Sequence, residues 1–594
     1  MDRSSLWPDF RQEHVLYEDD DLIAVHKPAG VPSQAAQPER PDDLVFRLRS
    51  FLGARHGREP SAVYLGVHQR LDRDTSGVVL FAKRPEANAG LAEQLEGRRI
   101  KKRYVAGVVG WPKGRRDATL DDDLAKGDEG RMIVVLRRER GKRPGHSPKK
   151  TLRHGPHGQR AVTHVTARSW RGERALLDLV LETGRTHQAR VQLAHAGAPI
   201  AGDVLYRGSA APRLMLHAAA IELEHPRTRR RLVVRDDLAR DEMNAWLERG
   251  DEGYAVYDDP VALRQRLALA CERRWRLGRS ADLDAPERRT TAFRLVNEEG
   301  DALPGLATDV YGEHVVAQIY VSEEWEDSRR RERLIEALDE LGFDGVYLKM
   351  RPKQANVLVD TRRDDLAPRL PVRGAPAADE IVVYEEGVPF GVRLGDGLST
   401  GIFLDQRQNR RLVRELARGL RVANLFSYTC AFSIVAALGG ARRTVSVDAS
   451  LAALERGRAG FTLAGLELGR DHVFVGEDAF SWLAKTAKKQ SERFDLVILD
   501  PPSYSTTKKR RFVAESDYGE LVAMAAAVVA PGGRIATCCN HRGMSRQKLR
   551  RLVHEGARAA QREVVQLKDL PDSPDFPGAG GRDPHMKSML LTLR

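Results

Sequence analysis

The segment VHQRLDRDTSG at 67–77 crowds His68, Arg70, Asp72, Thr75, Ser76 and Gly77 into one short stretch. A solvated loop requires no such combination. Thr75 and Ser76 can hydrogen-bond locally, and Gly77 permits a tight backbone, so Asp72 reads as a carboxylate held still between two strands. A carboxylate held this way can serve as nucleophile or base, although a lone loop aspartate is more often structural. A second set lies downstream. Asp448 in VSVDAS, Asp478 in VGEDAF and Asp500 in LDPPSYS each fall at the end of an expected strand. Any one of them could be a helix cap. Three at successive strand ends look like a ligand site at the carboxyl edge of a parallel sheet. Asp448 would accept two ribose hydroxyls and Asp478 would lie beside a purine ring. The small-residue turn in VANLFSYTCAFS, with Phe426 and Tyr428, precedes them, and Asp500-Pro501 ends the set.

These residues need elements to position them. VLYEDDDLIAVH at 15–26 reads as two strands around an acidic turn, followed by the Pro/Gly turn KPAGVPSQ. Residues 62–70 and 77–83 are expected as strands flanking the Asp72 segment, PEANAGLAEQLEG as a helix and KKRYVAGVVG as a strand. ALLDLVLETG is a further strand, and RTHQARVQLAHAG a helix closed by Gly197. Residues 131–160, rich in Arg, Lys, His and Gly, read as an inserted loop that either is merely solvated or touches RNA. A charged helical connector is expected at 241–285. Strands in TAFRLVNEEGDALPGLATDVYGEHVVAQIYV, GVYLKMR and NVLVD, with the helix RRRERLIEALDELG, form a small α+β domain at 286–375. A Pro/Ala linker at 369–380 follows. From 420 onward strands and helices alternate, which predicts a parallel sheet covered on both faces.

At 594 residues the chain is long enough for several domains, and its 41% hydrophobic and 30% charged content fits a globular class. The net charge of +13 suits a polyanionic partner, of which nucleic acid is the commonest, or an arginine-rich surface with no such partner. The four cysteines, Cys271, Cys430, Cys538 and Cys539, form no CxxC pair. No zinc framework or other metal site is expected, and so few cysteines fit a reducing, cytoplasmic setting. The opening MDRSSLWPDFRQEH has no apolar core of a secretory signal, and no membrane span is expected.

HQRLDRDTSG resembles the H-R-L-D-x-x-T-S-G signature of RluA-type pseudouridine synthases, with Gln69 inserted between His68 and Arg70. The opening strands, KKRYVA at 101–106, LETGRTHQARVQLAHAGAPIAGDVLY at 181–206 and RLMLHAAAIELEHP at 213–226 follow that family's order. The resemblance covers about 15–230. It implies isomerisation of uridine to pseudouridine in RNA without a cofactor, on a nucleotide flipped out of its stack. It assigns Asp72 as the catalytic carboxylate and Tyr104 as the residue that stacks on uracil and joins the proton transfer. Arg190 would pair with Asp72, since an opposite charge favours the ionised form. Arg70 would fill the gap left by the base, and Arg185 would also contact RNA. Gln192 stands where a second histidine is frequent, and the small basic domain many relatives carry ahead of this one is not expected here.

The region 286–594 resembles class I S-adenosylmethionine-dependent methyltransferases, and more narrowly the large-subunit rRNA methyltransferases of the RlmI and RlmK type. TGIFLDQRQNR at 400–410, NLFSYTCAFS, GGARRTVSVDAS, LDPPSYS and the central FRLVNEEGDALPGLATDVYG carry that likeness. It implies S-adenosyl-L-methionine as cofactor, held by Phe426, Tyr428, Asp448, Asp478, Asp500 and Pro501. The acceptor atom stays open. Cys539 in RIATCCNHRGMS aligns with a cysteine that would add to cytosine before carbon-5 methylation, the slightly favoured reading. NHRG at 540–543 and PPSYSTTKKR at 501–510 resemble guanine nitrogen-7 enzymes, which need no thiol.

The expected fold is therefore multidomain α/β. A mixed α+β pseudouridine synthase fold at 1–240 precedes the connector and the central domain, and a Rossmann-like methyltransferase fold occupies 376–594. The expected function is bifunctional modification of large-subunit rRNA, with 131–160 and 508–511 touching phosphates. The rivals are an enzyme with one active half and one docking half, and a non-catalytic ribosome assembly factor.

Overall fold

A computed structural model describes residues 6–34, 41–127, 130–135, 158–352, 363–489, 492–506, 511–578 and 585–594. The basic stretches at 136–157 and 507–510 and the NVLVD segment lie outside the described residues. The chain divides into two compact units, one of Asp2–Val256 with Gln265–Arg276, the other chiefly of Tyr257–Arg264 with Leu277–Arg594.

The first unit is built on one long, mostly antiparallel sheet. Its strands run in the order Val15–Glu18, Leu22–Lys27, Ser76–Ala82, Leu216–Glu224, Lys101–Val109, Arg174–Leu181, Gln159–Arg171, Asp117–Lys126 and Met132–Val135. Leu216–Glu224 is the element that joins the halves, parallel to Ser76–Ala82 on one side and antiparallel to Lys101–Val109 on the other. Gly77 makes the parallel contact possible. Its φ is +123°, and a Cβ there would lie 2.4 Å from the Ala218 carbonyl oxygen, so only glycine fits. Of the expected strand at 62–70, just Gly66–Val67 pairs in the sheet. Beyond it, Leu71 N–H donates to Ser33 Oγ, which in turn donates to Leu71 O, and this pulls the chain off the ladder toward the Asp72 loop. Within 241–285, the helix Arg240–Arg249 sinks Met243, Trp246 and Leu247 into this unit's core. Trp246 sits against Gly107, where a Cβ would come within 2.6 Å of the ring.

In the second unit, Ala292–Asn297, Leu306–Tyr311, His314–Tyr320, Gly345–Arg351 and Arg373–Gly374 form a sheet in that order. A seven-stranded sheet follows in the order His472–Gly476, Arg443–Asp448, Arg421–Leu425, Phe494–Leu499, Val529–Cys539, Lys587–Leu593 and Val564–Asp569. The first five of these run parallel and the last two join antiparallel. The strands Arg443–Asp448, Arg421–Leu425 and Phe494–Leu499 are buried almost without interruption, because helices cover both faces. Chain order reverses between Arg421–Leu425 and Phe494–Leu499. At such a switch point the loops part at the carboxyl ends and leave a crevice. Ala292, Tyr311, Val316 and Tyr347 of the smaller sheet share a buried cluster with Phe432, Ile434 and Phe461 of the larger one's helices.

Candidate active sites

In the first unit, Arg70, Asp72, Tyr104, Arg185 and Arg190 all line one cavity of about 510 Å³. The loop carrying Asp72 is fastened from beneath. Lys27, fully buried, donates its ammonium to the carbonyls of Pro28, Val31 and Arg73. Burial lowers that ammonium to about 7, because charge is costly away from water. Arg190 leaves the helix Gln188–His195 and grips Asp203 through Nε at 2.7 Å and Nη2 at 2.9 Å. That fork fixes the guanidinium plane, and the remaining Nη1 reaches Asp72 Oδ2 at 3.2 Å. Despite burial, the carboxylates raise Arg190 further above its already high value, and it stays charged. Tyr104 lies in the strand Lys101–Val109, and burial first, then the Asp72 charge, pushes its hydroxyl well above the ordinary range. Arg70 and Arg185 are exposed at the cavity's edge.

In the second unit, Phe426, Tyr428, Asp448, Asp478, Asp500 and Pro501 line a separate cavity of about 370 Å³ at the switch point. The turn after Arg421–Leu425 places Phe426, Tyr428 and Cys430 at φ of +57°, +47° and +61°. Such non-glycine residues cost about 1–3 kcal/mol each and persist where the surroundings hold them. Asp448 is part of that restraint. Its Oδ2 accepts the Tyr428 N–H and its Oδ1 the Ser450 N–H, both at 2.8 Å. Asp478 accepts the Ser481 N–H at 3.0 Å as a helix cap while also lining the cavity. Burial, with the Asp405 charge second, raises the Asp500 carboxyl to about 7.

Cys539 is not brought to this cavity. Its side chain is 1% exposed, in the cluster with Tyr518, Met544 and Leu549, and burial raises its thiol. Cys538 points to the opposite face of the sheet, near Asn409, and its thiol is raised more strongly by burial. Other lining residues lay inside quoted stretches without being singled out. Asp405 and Gln406, from TGIFLDQRQNR, stand beside Asp500, and Asn540 accepts a hydrogen bond from Ser503 Oγ at 2.9 Å. In the first cavity His187 stands 3.8 Å from Asp72. It lies in the T-G-R-x-H-Q element, which was its signal. Met586, distant in sequence from every quoted stretch, carried none.

Each unit also matches a known family. Residues 21–195 match a family model described as RNA pseudouridylate synthase. Residues 349–591 match one described as S-adenosylmethionine-dependent methyltransferase. The chain is 34% identical over 321 residues to a Bacillus subtilis protein provisionally named ribosomal RNA large subunit methyltransferase YwbD, covering 54% of this chain and 76% of that protein. It is 32% identical over 288 residues to ribosomal RNA large subunit methyltransferase I of Aeromonas salmonicida, covering 48% of this chain and 70% of that one. The solved structure of human RNA pseudouridylate synthase domain containing 4 is 22% identical, with a TM-score of 0.31, covering 41% of this chain and 94% of that one. Among the described residues no helix is long and apolar enough to cross a membrane. The chain belongs to the S-adenosylmethionine-dependent large-subunit ribosomal RNA methyltransferases and joins to that domain an RNA pseudouridylate synthase domain.

Proposed function

We propose that this is a bifunctional enzyme of large-subunit ribosomal RNA, working in the cytoplasm, that isomerises a uridine in its first unit and methylates guanine nitrogen-7 in its second. The observation that carries the first activity is the meeting of Asp72, Tyr104 and Arg190 in one cavity. Asp72 acts on the sugar as nucleophile or base while Arg190 holds its carboxylate in place. Tyr104 stacks on the uracil and joins the proton transfer. Arg70, exposed and planar, takes the stacking place of the flipped base. Domain limits of 1–240, 241–285, 286–375 and 376–594 are proposed with this assignment, with most of the connector packed on the first domain.

In the second unit, S-adenosylmethionine when bound supplies an electrophilic methyl group. Asp448 would hold its ribose hydroxyls, Asp478 the adenine edge, and Phe426 and Tyr428 the walls. Asp500 and Pro501 would face the sulfur end. The cavity's carboxylates suit a ligand with a diol at one end and a cationic sulfur at the other. The acidic side chain of Asp500 then gives a pH dependence. Its carboxyl is raised to about 7, so it is protonated below that pH and offers no charge to a cationic ligand. Cofactor affinity should fall about tenfold per unit below pH 7 and level off above it. Calorimetric titration from pH 5.5 to 8.5 tests this, and Asp500→Asn should give a shallower profile, with Asp405, whose carboxyl burial also raises, left in the cavity.

A guanine ring nitrogen carries its own lone pair and needs no activating thiol, whereas cytosine carbon-5 requires a thiolate. What supports the nitrogen reading is the burial of the Cys539 thiol outside the cavity lining. Cys539→Ser should therefore methylate unmodified large-subunit rRNA within about threefold of the parent rate. Digestion to nucleosides and mass spectrometry should give 7-methylguanosine beside pseudouridine. A loss of about 10³-fold with 5-methylcytidine as the parent's product would restore the thiolate reading.

A further inference from the structure

Gln69, which interrupts the expected His-Arg pair, lines the first cavity together with Asp72 and Tyr104. Its Nε2 is buried and has no hydrogen-bond partner among the described residues. Thr75, on the same wall and 2% exposed, likewise has an unpartnered Oγ1 among the described residues. Buried polar groups in folded proteins are nearly always paired, so orphans gathered on one cavity wall point to a ligand that pairs them. The segment bearing Gln69 is held on both sides. His68 Nε2 meets Asn88 Oδ1 at 2.7 Å, and Leu71 N–H donates to Ser33 Oγ at 3.0 Å. The amide is thus presented by a fixed backbone, as a recognition group needs to be.

We propose that Gln69 reads the edge of the flipped uracil. A carboxamide carries an N–H donor beside a carbonyl acceptor. Uracil shows a carbonyl oxygen beside its N3–H, the complementary order. Turned toward the cavity, the Gln69 amide would donate to that carbonyl and accept from N3–H, and the Thr75 hydroxyl, on the same wall, would meet a second polar atom of the nucleotide. The inference rests on the reading of this unit as a uridine isomerase. It assigns substrate recognition to a residue that departs from the family signature.

The test is binding of a ten-nucleotide oligouridylate and its 2-thiouracil and 4-thiouracil counterparts to the full-length protein, by fluorescence anisotropy. Sulfur is a poor acceptor. The parent protein should prefer oligouridylate about tenfold over one of the thio forms. Gln69→Leu should bind all three alike. Gln69→Glu keeps the side-chain length without the N–H donor and should lose the same preference, which covers the case of a poorly folded leucine variant. A preference kept in either variant, or absent from the parent, overturns the proposal. Pseudouridine formation by the parent on unmodified rRNA is scored separately. Product formed with the preference unchanged in the variants removes Gln69 alone. A preference lost in the variants with no product from the parent removes the isomerase reading and leaves a uracil site.

Discussion

Asp72→Asn is expected to stop pseudouridine formation, by about 10⁴-fold or more, while methyl transfer stays within about twofold of the parent. The substitution is nearly isosteric, so it removes charge and basicity while keeping shape. The Asp72 side chain is 30% exposed and takes one of Arg190's three contacts, the other two being made with Asp203. Arg190 therefore keeps its fork in the variant, and the helix Gln188–His195 has no cause to move. Loss of a general base costs about 10²–10⁴ in rate, and loss of a covalent nucleophile more. Mass spectrometry of nucleosides from unmodified large-subunit rRNA measures both products in one digest. Continued pseudouridine formation by the variant would remove Asp72 from the chemistry.

The second large effect is expected at Asp448→Ala, which should weaken S-adenosylmethionine binding by at least about 10²-fold. Hydrogen bonds to a charged group contribute about 1.5–3 kcal/mol each, and two ribose hydroxyls would lose theirs. The same carboxylate secures the turn through the N–H groups of Tyr428 and Ser450. Without it the left-handed residues Phe426, Tyr428 and Cys430 lose a restraint, and the turn can relax away from the cavity. Asp448→Glu keeps the charge at a shifted position and should recover part of the affinity. Calorimetric titration with S-adenosylmethionine measures each variant, and pseudouridine formation should be unaltered in both. Binding unchanged in the alanine variant would move the cofactor elsewhere.

Much of this molecule was legible before folding because the signals are local. Helix and strand period, turn residues and strand-end acids lie within a few positions of one another. The alternation after residue 420 accordingly predicted the parallel sheet, and the pseudouridine synthase fold was implied by the family resemblance of the ordered segments around Asp72. Side-chain direction was not legible in the same way. Cys538 and Cys539 are adjacent, and one step along a strand sends a side chain to the opposite face. Only the pairing of Val529–Cys539 with its neighbours decides which face each thiol takes, and both end in core. Groups far apart in the chain were equally out of reach. Arg190 meets Asp72 across 118 positions, and Lys27 reaches the Arg73 carbonyl across 46. Burial raises Asp500, and Asp405 adds to it from another segment altogether. The sequence by itself determined which residue types stand at each position and which elements bear them. The tertiary structure decided which of them meet, how deeply they are buried and therefore how they titrate, because burial and convergence depend on chain segments that no local pattern describes.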